Sequence, residues 1–146
     1  MYTLEFILAN KDHSLQVTTP EATVLDAVDE MCRARVGALL VVKRGAPVGM
    51  LSERDLLTRV LMHRLDPATT RVADIMTRDV VCVGLHVEPE EAMAVMTSRR
   101  CRHLPVVVDG RVVGIVSIGD LVRWASENRD HEIRMLTDLV SGRYPS

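Results

Sequence analysis

The chain repeats itself, and this limits its fold more than any other feature. Displaced by about 65 residues, Val41-Val42 falls on Val106-Val107 and Gly45 on Gly110. Val48-Gly49-x-x-Ser52-x-x-Asp55-Leu56 falls on Val113-Gly114-x-x-Ser117-x-x-Asp120-Leu121, and upstream Ala27, Met31, Arg35 and Leu39 fall on Ala92, Met96, Arg100 and Leu104. Roughly a dozen identities in about thirty ungapped positions exceed chance, so two copies of one supersecondary unit are expected. Ile7-Leu8 matches Ile75-Met76 after a small change of length, which carries the repeat over most of the chain.

Each copy reads as βαββα. In the first, Leu15 to Thr18 is a short strand ending at Pro20, and Val24, Ala27, Val28 and Met31 recur at helical spacing. Ala38 to Lys43 is an unbroken apolar run suited to a strand buried on both faces. Gly45 and Pro47 mark a turn, Val48 to Leu51 a second strand, and a helix after Ser52 carries Leu56, Leu57, Val60 and Leu61 on its apolar face.

The second copy repeats this order. Val80 to Val83 is the short strand, and Glu90 to Arg99 is the helix, with Met93 and Met96 inward. Leu104 to Val108 and Val112 to Val116 are strands joined across Asp109-Gly110, a hairpin signal. The last helix of the repeat begins at Asp120, and Glu127 to Val140 reads as an extra helix, with Ile133, Leu136 and Val140 on one face and Gly142 as its stop. Asp66-Pro67-Ala68-Thr69-Thr70 reads as the linker, since Asp-Pro disfavours a continued helix.

The expected divisions are residues 1–66 and 67–126 for the two repeats, and 127–146 for the terminal helix and tail. The fold class is α+β: tandem βαββα units packed sheet to sheet about a pseudo-two-fold axis. One copy alone has too little sheet to bury its helices. Clefts between two packed copies are natural ligand sites.

Composition narrows the function. A net charge of −2 gives no general field for nucleic acid or an anionic membrane, and 3% aromatic residues leave few platforms for stacking bases. Neither nucleic acid nor membrane is an expected partner. Cys32, Cys82 and Cys101 are odd in number and lack metal-ligand spacing, so reduced, mostly buried thiols are expected. Residues Met1 to Asn10 do not read as a signal peptide, and no apolar run approaches the roughly 18 to 20 residues that span a bilayer. A cytoplasmic location is the expectation.

The two Gly-h-h-Ser-x-x-Asp segments, where h is apolar, carry the chemistry. Each sits where a strand passes into a helix, and free backbone N–H groups with the positive end of the helix dipole suit an anion there. A serine hydroxyl can reach a phosphate or sugar, and an aspartate one turn in can accept two hydrogen bonds from the hydroxyls of a ribose. The same pattern is also a capping box, in which serine and carboxylate satisfy the free N–H groups of the helix. One serine can do both.

Together with Arg102-His103-Leu104-Pro105-Val106-Val107 and Asp74-Ile75-Met76-Thr77, these paired segments and the duplicated element order resemble the cystathionine-β-synthase (CBS) domain family. Two tandem copies resemble a Bateman module. The resemblance implies a regulatory protein that binds an adenine-containing ligand such as AMP, ADP, ATP or NADH in the clefts between the repeats.

By the same resemblance, Ser52 and Asp55 would hold the ribose in one cleft, and Ser117 and Asp120 in the other. Val80 and Val81 would flank the adenine in the Asp55 cleft, with Arg102 and His103 facing its phosphates. Arg102 reads equally well as an ordinary solvated charge, and for His103 a structural hydrogen-bonding role is the plainer reading. The first copy has Gly37-Ala38 where the second has Arg102-His103, so the Asp55 cleft is the favoured nucleotide site. Lys11 could lend the Asp120 cleft a charge, or stand in solvent. A homodimer is implied too, its exposed helix faces near Met31, Met93 and Met96 needing cover, and a regulated target protein would complete the picture.

No catalytic or metal-binding pattern is present: His13, His63, His86, His103 and His131 are scattered, and Glu88, Glu90 and Glu91 around Pro89 suit a helix start. Cys101 beside Arg102 could be an activated thiol, or a small packed residue. A non-enzymatic sensor without a catalytic cofactor is therefore expected. The alternative is a ligand-independent module for dimerisation or protein interaction.

Overall fold

The structure is a computed structural model and describes residues 2–11 and 15–140. His13 and Gly142 therefore lie outside the described residues, and so do the side chains of His131 and Val140.

The elements follow the repeat. Helix α1 (Leu4–Ala9) leads to β1 (Val17–Thr18), α2 (Val24–Ala34), β2 (Ala38–Lys43) and β3 (Ala46–Ser52). A short α3 (Glu53–Asp55) runs on as a π-helical stretch over Leu56–Leu61. The second half holds α4 (Val72–Ile75), α5 (Pro89–Arg99), β4 (His103–Val108), β5 (Arg111–Ser117) and α6 (Ile118–Val140). This is the α+β tandem arrangement expected from the sequence.

Matching residues do matching work in both halves. The Thr23 hydroxyl caps α2 by accepting from the Asp26 N–H at 3.1 Å. Helices α2 and α5 both end on an arginine in the left-handed region, Arg35 (φ 56°) and Arg100 (φ 53°). The two hairpins turn on Arg44-Gly45 and Asp109-Gly110, all four with positive φ, the geometry of a type I′ turn. Each hairpin carries a bulge at the same place, between Val41 and Val42 and between Val106 and Val107. The hairpins meet at the seam, where the Val112 N–H donates to the Gly45 carbonyl at 2.9 Å.

The flanking strands differ. In the first sheet β1 pairs in parallel with β2, Val17 opposite Leu40 and Thr18 opposite Val41. The strand expected over Val80–Val83 is reduced to a single parallel bridge from Val83 to Val106. Val83 makes both its bonds to β4, to Pro105 and Val107, but the Val80 N–H turns back to the Arg78 carbonyl at 3.0 Å and ends the ladder. Pro47, expected in the turn, lies within β3 opposite Val42.

Two hydrophobic cores result, and each borrows from beyond its own repeat. Ala27, Met31, Leu39, Val41 and Leu51 pack with Val72, Ile75 and Met76, which follow the linker. Ala92, Met96, Leu104, Val106 and Val116 pack with Leu4 and Ile7 of α1. The weak sequence match of Ile7-Leu8 with Ile75-Met76 thus marks two segments in equivalent places on opposite lobes. Glycine permits both: a Cβ on Gly49 would collide with the Met76 side chain, and one on Gly114 would lie 2.8 Å from Leu8 Cδ1.

Several burial expectations are corrected. Leu57 and Leu61 are exposed, at 57% and 65%, and only Val60 of that helix is fully buried, because the wider π turn rotates them off the core. Met31 and Met96 lie in the cores, so they give no exposed face; the exposed apolar side chains lie elsewhere and include Leu57, Leu61, Met62, Val122, Ile133 and Leu136. Cys32 is exposed, and Cys82 and Cys101 are half-buried rather than interior. The extra helix beyond residue 126 is continuous with the last helix of the repeat, since no glycine or proline interrupts the chain from Asp120 to Val140. No described helix is long and apolar enough to cross a membrane.

Candidate functional site

Both Gly-h-h-Ser-x-x-Asp segments fold as capping boxes. The Ser52 N–H donates to Asp55 Oδ2 at 2.9 Å, and the Asp55 N–H to Ser52 Oγ at 3.3 Å. The second copy reproduces this with Ser117 and Asp120, at 2.9 and 3.1 Å. The serine and carboxylate thereby satisfy N–H groups that the helix start leaves free. Both aspartates are buried, at 7% and 8% exposure, an unusual state for a carboxylate without a dedicated partner.

Their partners differ. Asp55 Oδ1 accepts from the Thr77 hydroxyl at 3.3 Å, with Arg59 Nε at 3.8 Å. Thr77 also closes over β3 through its backbone, exchanging two 2.9 Å hydrogen bonds with Met50. At the second junction the Lys11 ammonium takes that place. It donates to Asp120 Oδ2 at 2.8 Å and to the carbonyl of Ile115, the repeat counterpart of Met50, at 2.7 Å. Arg123 Nη1 lies 3.8 Å from Asp120 Oδ1. The reading of Lys11 as solvated is overturned: its side chain is 14% exposed and ion-paired.

A cavity of about 330 Å³ opens at Asp120. The first repeat contributes Gly37 and Ala38 to its wall, the second His103, Ser117 and Asp120, and the segment after α1 Lys11. A second cavity, of about 310 Å³, adjoins it through Val36 and Gly37 and is lined by Met31, Cys32, Arg35 and Glu53. Neither includes Asp55.

The site residues expected from sequence therefore regroup. Ser117, Asp120 and Lys11 come together at the first cavity, and His103 joins them there instead of facing Asp55. Arg102 is exposed and borders neither cavity. Val80 and Val81 are half-buried, and Val81 packs on the second core. Thr77, Arg59 and Arg123 were not singled out as site residues. The arginines carried a usable signal, following their aspartates at helical spacings of four and three residues.

The charges of the cavity act on one another. Burial alone would raise Asp120, but the hydrogen bond from Lys11 and those from Ser117 outweigh it and hold the carboxyl below its ordinary value. His103 is pushed below the ordinary 6.5, chiefly by burial and then by the Lys11 charge, with Asp120 partly opposing. At neutral pH the cavity thus presents an ionised carboxylate bound to an ammonium, beside a neutral imidazole. No described group of His, Cys, Asp and Glu is disposed to hold a metal ion.

The model of the CBS domain family matches residues 12–62 and 72–127. The CBS domain-containing protein CBSX3, mitochondrial, of Arabidopsis thaliana is 38% identical over 131 residues, which are 86% of this chain and 64% of that protein. A crystal structure of the CBS domain NE2398 superposes with a TM-score of 0.79 at 40% identity, covering 85% of this chain and 97% of that one. The crystal structure of CBSX2 in complex with AMP superposes with a TM-score of 0.75 at 28% identity, covering 88% and 99%.

Proposed function

This chain belongs to the CBS domain family, and from that premise we propose that it is a non-enzymatic regulatory module that binds an adenine nucleotide in the Asp120 cavity between its repeats. The observation that carries the reading is the cavity itself. It is bordered by both repeats, and at about 330 Å³ it lies near the lower end of the roughly 300–1,000 Å³ typical of small-ligand pockets. At its edge a strand turns into a helix, with a buried carboxylate able to accept from a sugar hydroxyl. The AMP complex of the related CBSX2 makes AMP the first ligand to try. A ligand wedged between the repeats would favour one relative placement of them, and so bias what a second copy or a target protein meets.

One observation favours the second reading, a ligand-independent interaction module. Asp55 and Ser52 are fully occupied by their own helix and by Thr77, which needs no ligand to explain. Titration calorimetry and thermal unfolding with AMP, ADP, ATP and NADH separate the two. At 100 times its dissociation constant a bound nucleotide should stabilise the protein by about 2.7 kcal/mol. Absence of heat and of any thermal shift at millimolar concentration, with all four compounds, would leave the interaction module standing.

A further inference from the structure

Lys11 has no counterpart in the other lobe. Carrying the match of Ile7 with Ile75 forward, the residue in its place is Asp79, which is exposed and of opposite charge. Where Lys11 reaches β5 with a side chain, the other lobe closes with the Thr77 backbone and hydroxyl. The difference therefore separates a carboxylate bonded to a hydroxyl, with a half-exposed guanidinium 3.8 Å away, from one in direct contact with a buried ammonium.

The ammonium has three N–H donors, and two are spent on Ile115 and Asp120. Among the described residues no acceptor takes the third, and the lysine borders the cavity. Asp120 Oδ2 already accepts from Lys11 and from the Ser117 N–H, so a sugar diol approaching that oxygen competes with an ammonium. An incoming anion can instead take the third donor, sharing the ammonium with the Asp120 carboxylate. Among the described lining residues Lys11 and Arg123 outnumber the one carboxylate, Asp120, and hydrogen bonds from a cation to an anion are roughly twice as strong as neutral ones.

We propose that Lys11 sets the specificity of the Asp120 cavity, admitting ligands that carry a phosphate and refusing the neutral nucleoside. This rests on the reading of that cavity as a nucleotide site and adds the group that selects within it. The Asp55 junction lacks the ammonium and lines neither cavity.

The test is titration calorimetry of AMP, adenosine and ribose 5-phosphate against the unaltered protein, Lys11→Gln and Lys11→Arg. The unaltered protein should bind AMP at least about tenfold more tightly than adenosine, a ratio that Lys11→Gln collapses to about two and Lys11→Arg preserves. Because Lys11→Arg keeps the buried charge, it remains informative if Lys11→Gln proves poorly folded: the ratio retained supports the proposal, and the ratio lost at unchanged stability opposes a simple charge role. An AMP-to-adenosine ratio unaffected by Lys11→Gln would overturn the proposal and leave the nucleotide reading intact. Lys11-dependent binding of ribose 5-phosphate, with AMP no tighter, would do the reverse. No binding of any of the three overturns both.

Discussion

Asp55 and Asp120 occupy the same place in their repeats, cap the same helix start and are almost equally buried, yet one faces a threonine hydroxyl and the other a lysine ammonium. Local sequence makes the junctions alike, because a capping box needs only a serine and a carboxylate three residues apart. What closes over each carboxylate comes from far along the chain. Lys11 precedes Asp120 by 109 residues, and Thr77 follows Asp55 by 22. The frame is thus shared, while the borrowed segments differ in the partner they bring to each carboxylate.

The largest test of this contrast is removal of each carboxylate. Asp120→Ala should destabilise the protein by about 3 kcal/mol, the low end for breaking a buried ion pair, since it strands the Lys11 charge as well as the cap. Asp55→Ala removes a cap, a neutral hydrogen bond and a long contact to the half-exposed Arg59, and about 1–2 kcal/mol is expected. Urea unfolding of the two variants measures the difference, and equal losses would deny that Lys11 makes the lobes unlike.

Next in size is the close approach at the paired glycines. Gly49→Ala and Gly114→Ala should each cost about 1–3 kcal/mol by overpacking. Gly49 should be the worse, because its added methyl meets the Thr77 backbone oxygen at 3.1 Å as well as Met76, whereas at Gly114 only the Leu8 side chain must yield. Thermal unfolding ranks the pair; a greater loss at Gly114 would reverse the comparison.

The smallest effect is on pH. His103 is held below 6.5, so the unfolded chain takes up a proton before the native one does. Its contribution to stability is whole above 6.5 and is withdrawn as pH falls from there towards the lowered native value. Asp120 acts lower down: its contribution persists above the ordinary 3.8 and is lost as pH falls through its depressed native pKa. In His103→Gln the decline of Tm just below pH 6.5 should be shallower than in the unaltered protein, with the steeper acid limb retained. Parallel profiles would remove His103 from the charged surroundings of the cavity.

How much of this could be read in advance follows from the range of the interactions. The strand Ala38 to Lys43 was legible residue for residue, because a short, valine-rich apolar run ending at Gly45 suits a doubly covered strand. The Asp109-Gly110 turn was legible for an equally local reason, and the paired capping boxes were among the readings of Ser-x-x-Asp. Val80 to Val83 was misread because valines favour a strand whether or not a neighbour offers a full ladder. Leu57 and Leu61 were misread because helical spacing assumes 3.6 residues per turn, and the π turn departs from it. At the site, the placement of His103 and the pairing of Lys11 depended on which lobe each distant segment joins. No local pattern states that.

The crossing of segments between lobes has a consequence for biosynthesis. During vectorial translation the first lobe can close once Met76 has left the ribosome, its whole core lying within residues 24–76. The second cannot, because Leu4 and Ile7 emerge early and must wait, uncovered, for Leu121. A nascent chain arrested between those points would leave Leu4 and Ile7 of α1 without part of their core.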